Sequence, residues 1–218
     1  MSVRTILLVR HAEAQKNVED RHGGPGTPLT PDGVTQCELL ARFVRTELGS
    51  SGRCLLVGHP VPHVEQTLSL LSNHLGLDST LDARLKGIDL GPLAGLSRDE
   101  ATERFPVEAA RLEMWRAGKL SIGDLLLPDA EPVEHFEGRV RSALEGWLSA
   151  AGMDAVVAVC TRSTLIMLVN LVKLGVDFCY ERYAVYDFLP ASVTRIDSDG
   201  LNRRLAYMNA SAGGDGPT

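Results

Sequence analysis

Short apolar runs alternate along this chain with longer stretches in which apolar residues recur every three or four positions. Thr5 to Val9, Cys54 to Val57 and Ala155 to Val159 are runs rich in Val, Leu, Ile and Ala, bounded by polar residues or glycine. Runs of that length and makeup predict strands buried on both faces. Between them the helical period takes over. Thr30-Pro-Asp-Gly offers an N-cap followed by Pro at the first helical position, so a helix is expected from about Pro31 to Leu48. Val34, Cys37, Leu40, Ala41 and Val44 fall on one face of it, and Gly49 to Gly52 ends it. Further helices are predicted over His63 to Leu75, over Val133 to Ala150 and over Thr161 to Leu174, the last ended by Gly175. In the second of these Phe136, Val140, Ala143, Leu144 and Trp147 share a face.

The remaining segments are less regular. Residues 12–30 and 118–132 read as loops, and Ile88 to Ala94 as loop or irregular edge. Arg98 to Phe105 and Val107 to Ala117 read as short helices in an insert of about residues 92–132. Phe188 to Ile196 and Arg204 to Met208 read as strands near a sheet edge, and residues 211–218 as a flexible tail. No internal repeat or linker divides the chain, so residues 1–218 are expected to form a single domain. Strands alternating with helices predict an α/β fold, a mostly parallel sheet with helices on both faces. The active crevice of such a sheet lies beyond the carboxyl ends of its strands. That directs attention to residues 10–12, 58–63 and 160–164.

Composition narrows the function classes. Hydrophobic residues make up 44% and charged residues 23%, ordinary for a globular chain. The net charge of −6 argues against broad nucleic-acid binding, which needs a basic surface. It leaves small anionic ligands open, because a basic pocket can sit in an acidic protein. No stretch reaches the roughly 18 apolar residues of a membrane span. The N-terminus lacks a signal-peptide core, so a cytoplasmic location without membrane attachment is expected. Cys37, Cys54, Cys160 and Cys179 are widely spaced with no CxxC pair, which predicts free thiols rather than disulfides or a zinc knuckle. Basic residues are nearly all Arg; the only lysines are Lys16, Lys86, Lys119 and Lys173. That bias, with abundant Ala, Gly and Leu, points to a G+C-rich bacterial genome.

One set of motifs resembles a known family. Leu7-Leu-Val-Arg10-His11-Ala12-Glu13 with Asn17 is similar to the signature of the histidine phosphatase (phosphoglycerate mutase-like) superfamily. Pro28 to Gln36, Gln66-Thr67, Ile88-Asp89-Leu90-Gly91 with Gly95, and the Glu131 to Arg139 spacing resemble its later landmarks, in order. The resemblance covers about residues 4–209. It implies that His11 is a phosphoryl-accepting nucleophile and Arg10 a phosphate-holding arginine. A second arginine, a second histidine and a protonating acid complete the family's set.

Those last three positions depart from the pattern. His63 stands where the second arginine is expected, Gly87 where the acid is expected, and Thr161 where the second histidine is expected. A neutral histidine lacks the fixed bidentate cation of arginine. Losing one such donor typically costs ~10²–10³ in rate. Losing a general acid costs ~10²–10⁴. Hydrolysis of ordinary phosphomonoesters is therefore expected to be weak or lost.

His11 and Arg10 are the catalytic candidates by resemblance. Asn17, His59, His63, Thr161 and Arg162 are candidate substrate-binding residues. His59 and His63 could hold a metal only if they converge with His11 or Asp89, and the simpler reading is that they fill vacated space, so no metal and no cofactor is expected. Arg162, at the start of a helix, either supplies a replacement cation for an anion or faces solvent. Cys160 is a buried structural thiol in the simpler reading and a reactive one otherwise. Three functions remain open. They are binding of a phosphorylated or anionic small molecule without turnover, a repurposed biosynthetic enzyme using the same crevice, and a weak phosphomonoesterase acting through phospho-His11. The resemblance allows a homodimer.

Overall fold

The computed structural model describes residues 4–199 and 202–213. Six strands form one mixed sheet in the order β3-β2-β4-β1-β5-β6. Strands β1 (Arg4–Arg10), β2 (Cys54–Gly58), β3 (Ser79–Leu81) and β4 (Ala155–Cys160) run parallel. Strands β5 (Ser192–Ser198) and β6 (Arg203–Ser211) extend the sheet antiparallel beside β1.

The apolar runs explain the centre of the sheet. Side chains alternate faces along a strand, so Ile6 and Leu8 of β1 enter one core and Leu7 and Val9 the other. All six residues of β4 are buried, as a strand covered on both sides requires. One core packs Phe136, Val140, Ala143, Leu144 and Trp147 of α6 (Val133–Ser149) with the apolar residues of α7 (Arg162–Leu174). The other packs Cys37, Leu40, Ala41 and Val44 of α2 (Pro31–Leu48) with Val64, Leu68 and Leu71 of α3 (Pro62–Leu75). The start of α2 follows from its sequence: the Thr30 hydroxyl accepts from the Gly33 amide at 3.0 Å, and Pro31 opens the helix.

Several expectations need correction. The loop 12–30 contains a one-turn helix, α1 (Gln15–Val18). Strand β3 had no apolar signal because all three of its residues are exposed at the sheet edge. Val34 does not join the buried face of α2; it is 45% exposed, and Gly33 packs inward instead. The strand expected from Phe188 begins only at Ser192, although Phe188 is buried in the core. Of the expected tail, Ser211 closes β6, while residues 214–218 lie outside the described residues. The insert carries α4 (Arg98–Arg104) and α5 (Pro106–Arg116), close to the two helices expected there. Among the described residues no helix is long and apolar enough to cross a membrane.

Candidate functional site

Strands β1, β4 and β2 end side by side. Arg10 pairs with Cys160, the His11 amide donates to the Cys160 carbonyl at 3.1 Å, and Gly58 pairs with Val159. A cavity of about 640 Å³ opens over these ends, roofed by α1, the insert and residues 86–90. Arg10, His11, Asn17, His59, His63, Thr161 and Arg162 all line it. The structure thus gathers every residue singled out as a candidate.

The family landmarks act as struts around this cavity. The Glu13 amide donates to Gln36 Oε1 at 2.9 Å, and the Leu29 amide to Gln66 Oε1 at 2.7 Å. The Ala12 amide donates to Thr67 Oγ1 at 3.2 Å, and that hydroxyl donates to the His63 carbonyl at 2.7 Å. Arg139 holds the opposite wall: it pairs with Glu131 at 2.7 Å and donates to the carbonyls of Arg84, Lys86 and Gly87. A conformation of the polar loops that water could loosen is thereby fixed by buried or half-buried acceptors.

His11 is buried, with Nδ1 2.8 Å from the Ala12 carbonyl oxygen. In a neutral ring Nδ1 then carries the proton, which leaves the lone pair on Nε2. Burial keeps its pKa well below the ordinary histidine value, helped by His63, Lys16 and Arg10. Arg10 donates to the Phe188 carbonyl, and its Nε has no hydrogen-bond partner. Burial and the neighbouring Arg162 lower its pKa to about 10, so it stays cationic at neutral pH.

The replaced positions are uncharged. His63 is buried, and neither ring nitrogen has a hydrogen-bond partner; the Thr27 backbone approaches the ring without reaching hydrogen-bond geometry. Burial first, then Lys16, lower its pKa to about 3. His59 is half-buried and is lowered to about 4 by burial, Arg139 and Lys86. Thr161 caps α7, with Oγ1 3.2 Å from Thr164 Oγ1. A Cβ at Gly87 would lie 2.8 Å from Thr161 Oγ1 and 3.0 Å from Ser163 Oγ, so those hydroxyls now occupy the space beside the acid position.

Of the binding candidates, Asn17 commits its Oδ1 to the Ala14 amide at 3.0 Å. Arg162 faces the crevice rather than only solvent; its Nη2 lies 3.4 Å from the exposed Asp187. Cys160 is fully buried and burial pushes its thiol pKa up, which suits a structural thiol and not a nucleophile. Trp115 packs in the core and also borders the cavity.

Sequence reasoning missed Lys16, Arg21, Arg98 and Arg116, which add positive charge to the lining; Lys86, which the sequence offered as a possible ligand contact beside Gly87, lines it too. For Lys16 the available signal was its place one residue before Asn17. For Arg98 and Arg116 there was none, because only the fold of the insert brings them over the strand ends. Among the described residues no group of three or more His, Cys, Asp or Glu side chains could hold a metal ion.

The model of the histidine phosphatase superfamily (branch 1) matches residues 6–211. The chain belongs to the histidine phosphatase superfamily. Two curated relatives carry the name "Probable phosphoglycerate mutase GpmB". That of Citrobacter koseri is 31% identical over 145 residues, 66% of this chain and 62% of the relative. That of Enterobacter is 30% identical over 141 residues, 64% of this chain and 60% of the relative. The matched region thus spans about 60% of these relatives' length. Solved structures with the superfamily fold superpose along nearly the whole chain. Mycobacterial hydrolase 1 has a TM-score of 0.79 at 23% identity, covering 96% of this chain and 99% of that one. The mycobacterial glucosyl-3-phosphoglycerate phosphatase, solved with VO3, has a TM-score of 0.78 at 25% identity, covering 95% and 100%.

Proposed function

We propose that this superfamily member binds a phosphorylated or similarly anionic small molecule in the His11 crevice, with ordinary phosphatase turnover weak or lost. One observation carries the reading. Cations surround a cavity of about 640 Å³, while the positions of the second arginine, the acid and the second histidine hold the uncharged His63, Gly87 and Thr161. Charge for holding an oxyanion is present; the carboxylic acid that would protonate the leaving oxygen is replaced by Gly87. The names of the similar proteins, a phosphoglycerate mutase and a glucosyl-3-phosphoglycerate phosphatase, support a phosphorylated ligand.

A second reading has its own observation. His11 presents a neutral ring with Nδ1 held by the Ala12 carbonyl, the arrangement a phosphoryl-accepting Nε2 needs. It makes the protein a slow phosphomonoesterase through phospho-His11. Hydrolysis of an aryl phosphate by wild type beside His11→Ala separates the two. Binding of inorganic phosphate with no hydrolysis above background supports the first. Robust hydrolysis abolished in His11→Ala overturns it in favour of the second.

A further inference from the structure

Seven cations line the crevice: Arg10, Lys16, Arg21, Lys86, Arg98, Arg116 and Arg162. Most are already engaged. Arg21 pairs with Glu19 and Glu100, Lys86 with Asp89, Arg98 with Asp20, and Arg116 with Glu113, all at 3.0 Å or less. Arg162 faces Asp187 at 3.4 Å. Of these seven, only Arg10 and Lys16 have no carboxylate of the described residues within ion-pair distance. Arg10 is the arginine of the Arg-His motif. Lys16 has no role in the family pattern given above.

The backbone fixes where Lys16 sits in the lining. Its amide donates to Thr27 Oγ1 at 2.9 Å, and its carbonyl accepts from the Arg21 amide at 2.8 Å, so the short helix is pinned at both ends. The 26–27 segment in turn lies against His63: a Cβ at Gly26 would be 3.1 Å from His63 Nδ1. Gly26 has φ +85, a conformation that favours glycine and lets the chain pass this closely. Lys16 is therefore held beside the residue that replaced an arginine. Its ammonium acts on His63 and on His11 more strongly than Arg10 does.

We propose that Lys16 is the second anion-holding cation of this crevice, taking over from position 63 the grip on a phosphoryl or comparable tetrahedral oxyanion. This rests on the crevice being an anion site, as proposed above. The charge has moved from the start of α3 to the neighbouring α1, within the same cavity lining. Lysine supplies a point charge there in place of a bidentate fork, which holds an oxyanion with less control of its orientation. Half-burial beside Arg10 lowers the Lys16 pKa to about 8, so the grip weakens where the ammonium deprotonates.

The test is calorimetric titration of inorganic sulfate and inorganic phosphate into wild type, Lys16→Met and Lys16→Arg. Sulfate keeps its charge across the pH range, so its pH profile reports the protein alone. A charge-assisted contact of about 1.5–3 kcal/mol corresponds to about tenfold or more in affinity. At pH 7 Lys16→Met should bind both anions at least about tenfold more weakly, and Lys16→Arg within a few fold of wild type. Wild-type sulfate affinity should fall above about pH 8, whereas that of Lys16→Arg should not. Lys16→Met binding as tightly as wild type overturns the proposal while leaving the anion site intact. Equal weakening in Lys16→Arg and Lys16→Met overturns it too, since it marks a steric role. Wild type binding neither anion overturns the anion-site reading and this proposal together.

Discussion

The imidazoles of His11 and His63 touch at the floor of the crevice, with ring centroids 4.2 Å apart and planes tilted by 59°. Two buried imidazolium ions at that distance would repel, and burial already disfavours each charge. His11 is held well below its ordinary pKa and His63 at about 3. The arginine expected at position 63 would have put a permanent cation against the nucleophile; here a neutral ring stands in its place.

Acid sensitivity follows from this. His22 and His59 are each lowered to about 4, so four histidines stay neutral in the folded state below the unfolded value of 6.5. Between pH 6.5 and 4 the unfolded chain binds these protons first, so stability is full above that window and falls with pH through it. Urea unfolding at a series of pH values should give a positive slope of stability against pH there. His63→Leu should reduce that slope by about one proton. A profile for His63→Leu parallel to that of wild type would show that His63 titrates normally.

Arg139 should be a stability residue, because it braces one wall of the cavity. It joins Glu131 to three carbonyls of the 84–87 wall and is mostly buried, as is Glu131. Removing one partner of a buried, hydrogen-bonded pair costs about 3–5 kcal/mol. The side chains here keep some solvent contact, so Arg139→Ala should lose about 2–4 kcal/mol in denaturant unfolding. Arg139→Lys should recover only part, because one ammonium cannot reach all those acceptors. A loss below about 0.5 kcal/mol, the range of ordinary surface substitutions, would count against this role.

The strong periodic segments carried the fold in the sequence. The face of α6 from Phe136 to Trp147 and the buried runs of β1 and β4 could be read because burial itself imposes the spacing. Strand β3 could not, since backbone pairing at an exposed edge asks nothing of its side chains. Phe188 misled for the opposite reason: its apolar character reflects core burial in a loop. At the site, motif order located His11, His63 and Thr161. Lys16 stayed hidden because its role depends on the 26–27 segment folding back against both it and His63.

Cys160 should be inert in the folded protein. It ends β4 with no exposed surface, and burial pushes its thiol pKa up. A thiolate-selective reagent such as DTNB should leave it unmodified under native conditions and label it only on unfolding. Mass mapping of native-labelled peptides checks this. Modification of Cys160 at the rate of half-exposed Cys179 would place a reactive thiol at the crevice after all.

Gly87 and Thr161 should behave as one unit. Any Cβ at position 87 meets Thr161 Oγ1 at 2.8 Å and Ser163 Oγ at 3.0 Å. Neither hydroxyl is idle: Thr161 Oγ1 lies 3.2 Å from Thr164 Oγ1, and Ser163 Oγ accepts from the Ile88 amide at 3.2 Å. Overpacking of this kind costs about 1–3 kcal/mol, so Gly87→Ala should destabilise by that amount. In a Thr161→Ala background the nearer oxygen is gone, and the cost should shrink by about 0.5–2 kcal/mol. The same geometry bears on chemistry. Gly87→Glu alone, intended to bring back a proton donor, should lose stability and gain no aryl phosphate hydrolysis over wild type. Its carboxyl has to enter past two engaged hydroxyls, and the histidine expected at position 161 is still missing. Strictly additive costs in the Gly87→Ala and Thr161→Ala cycle, with hydrolysis gained by Gly87→Glu alone, would show that the two positions changed independently.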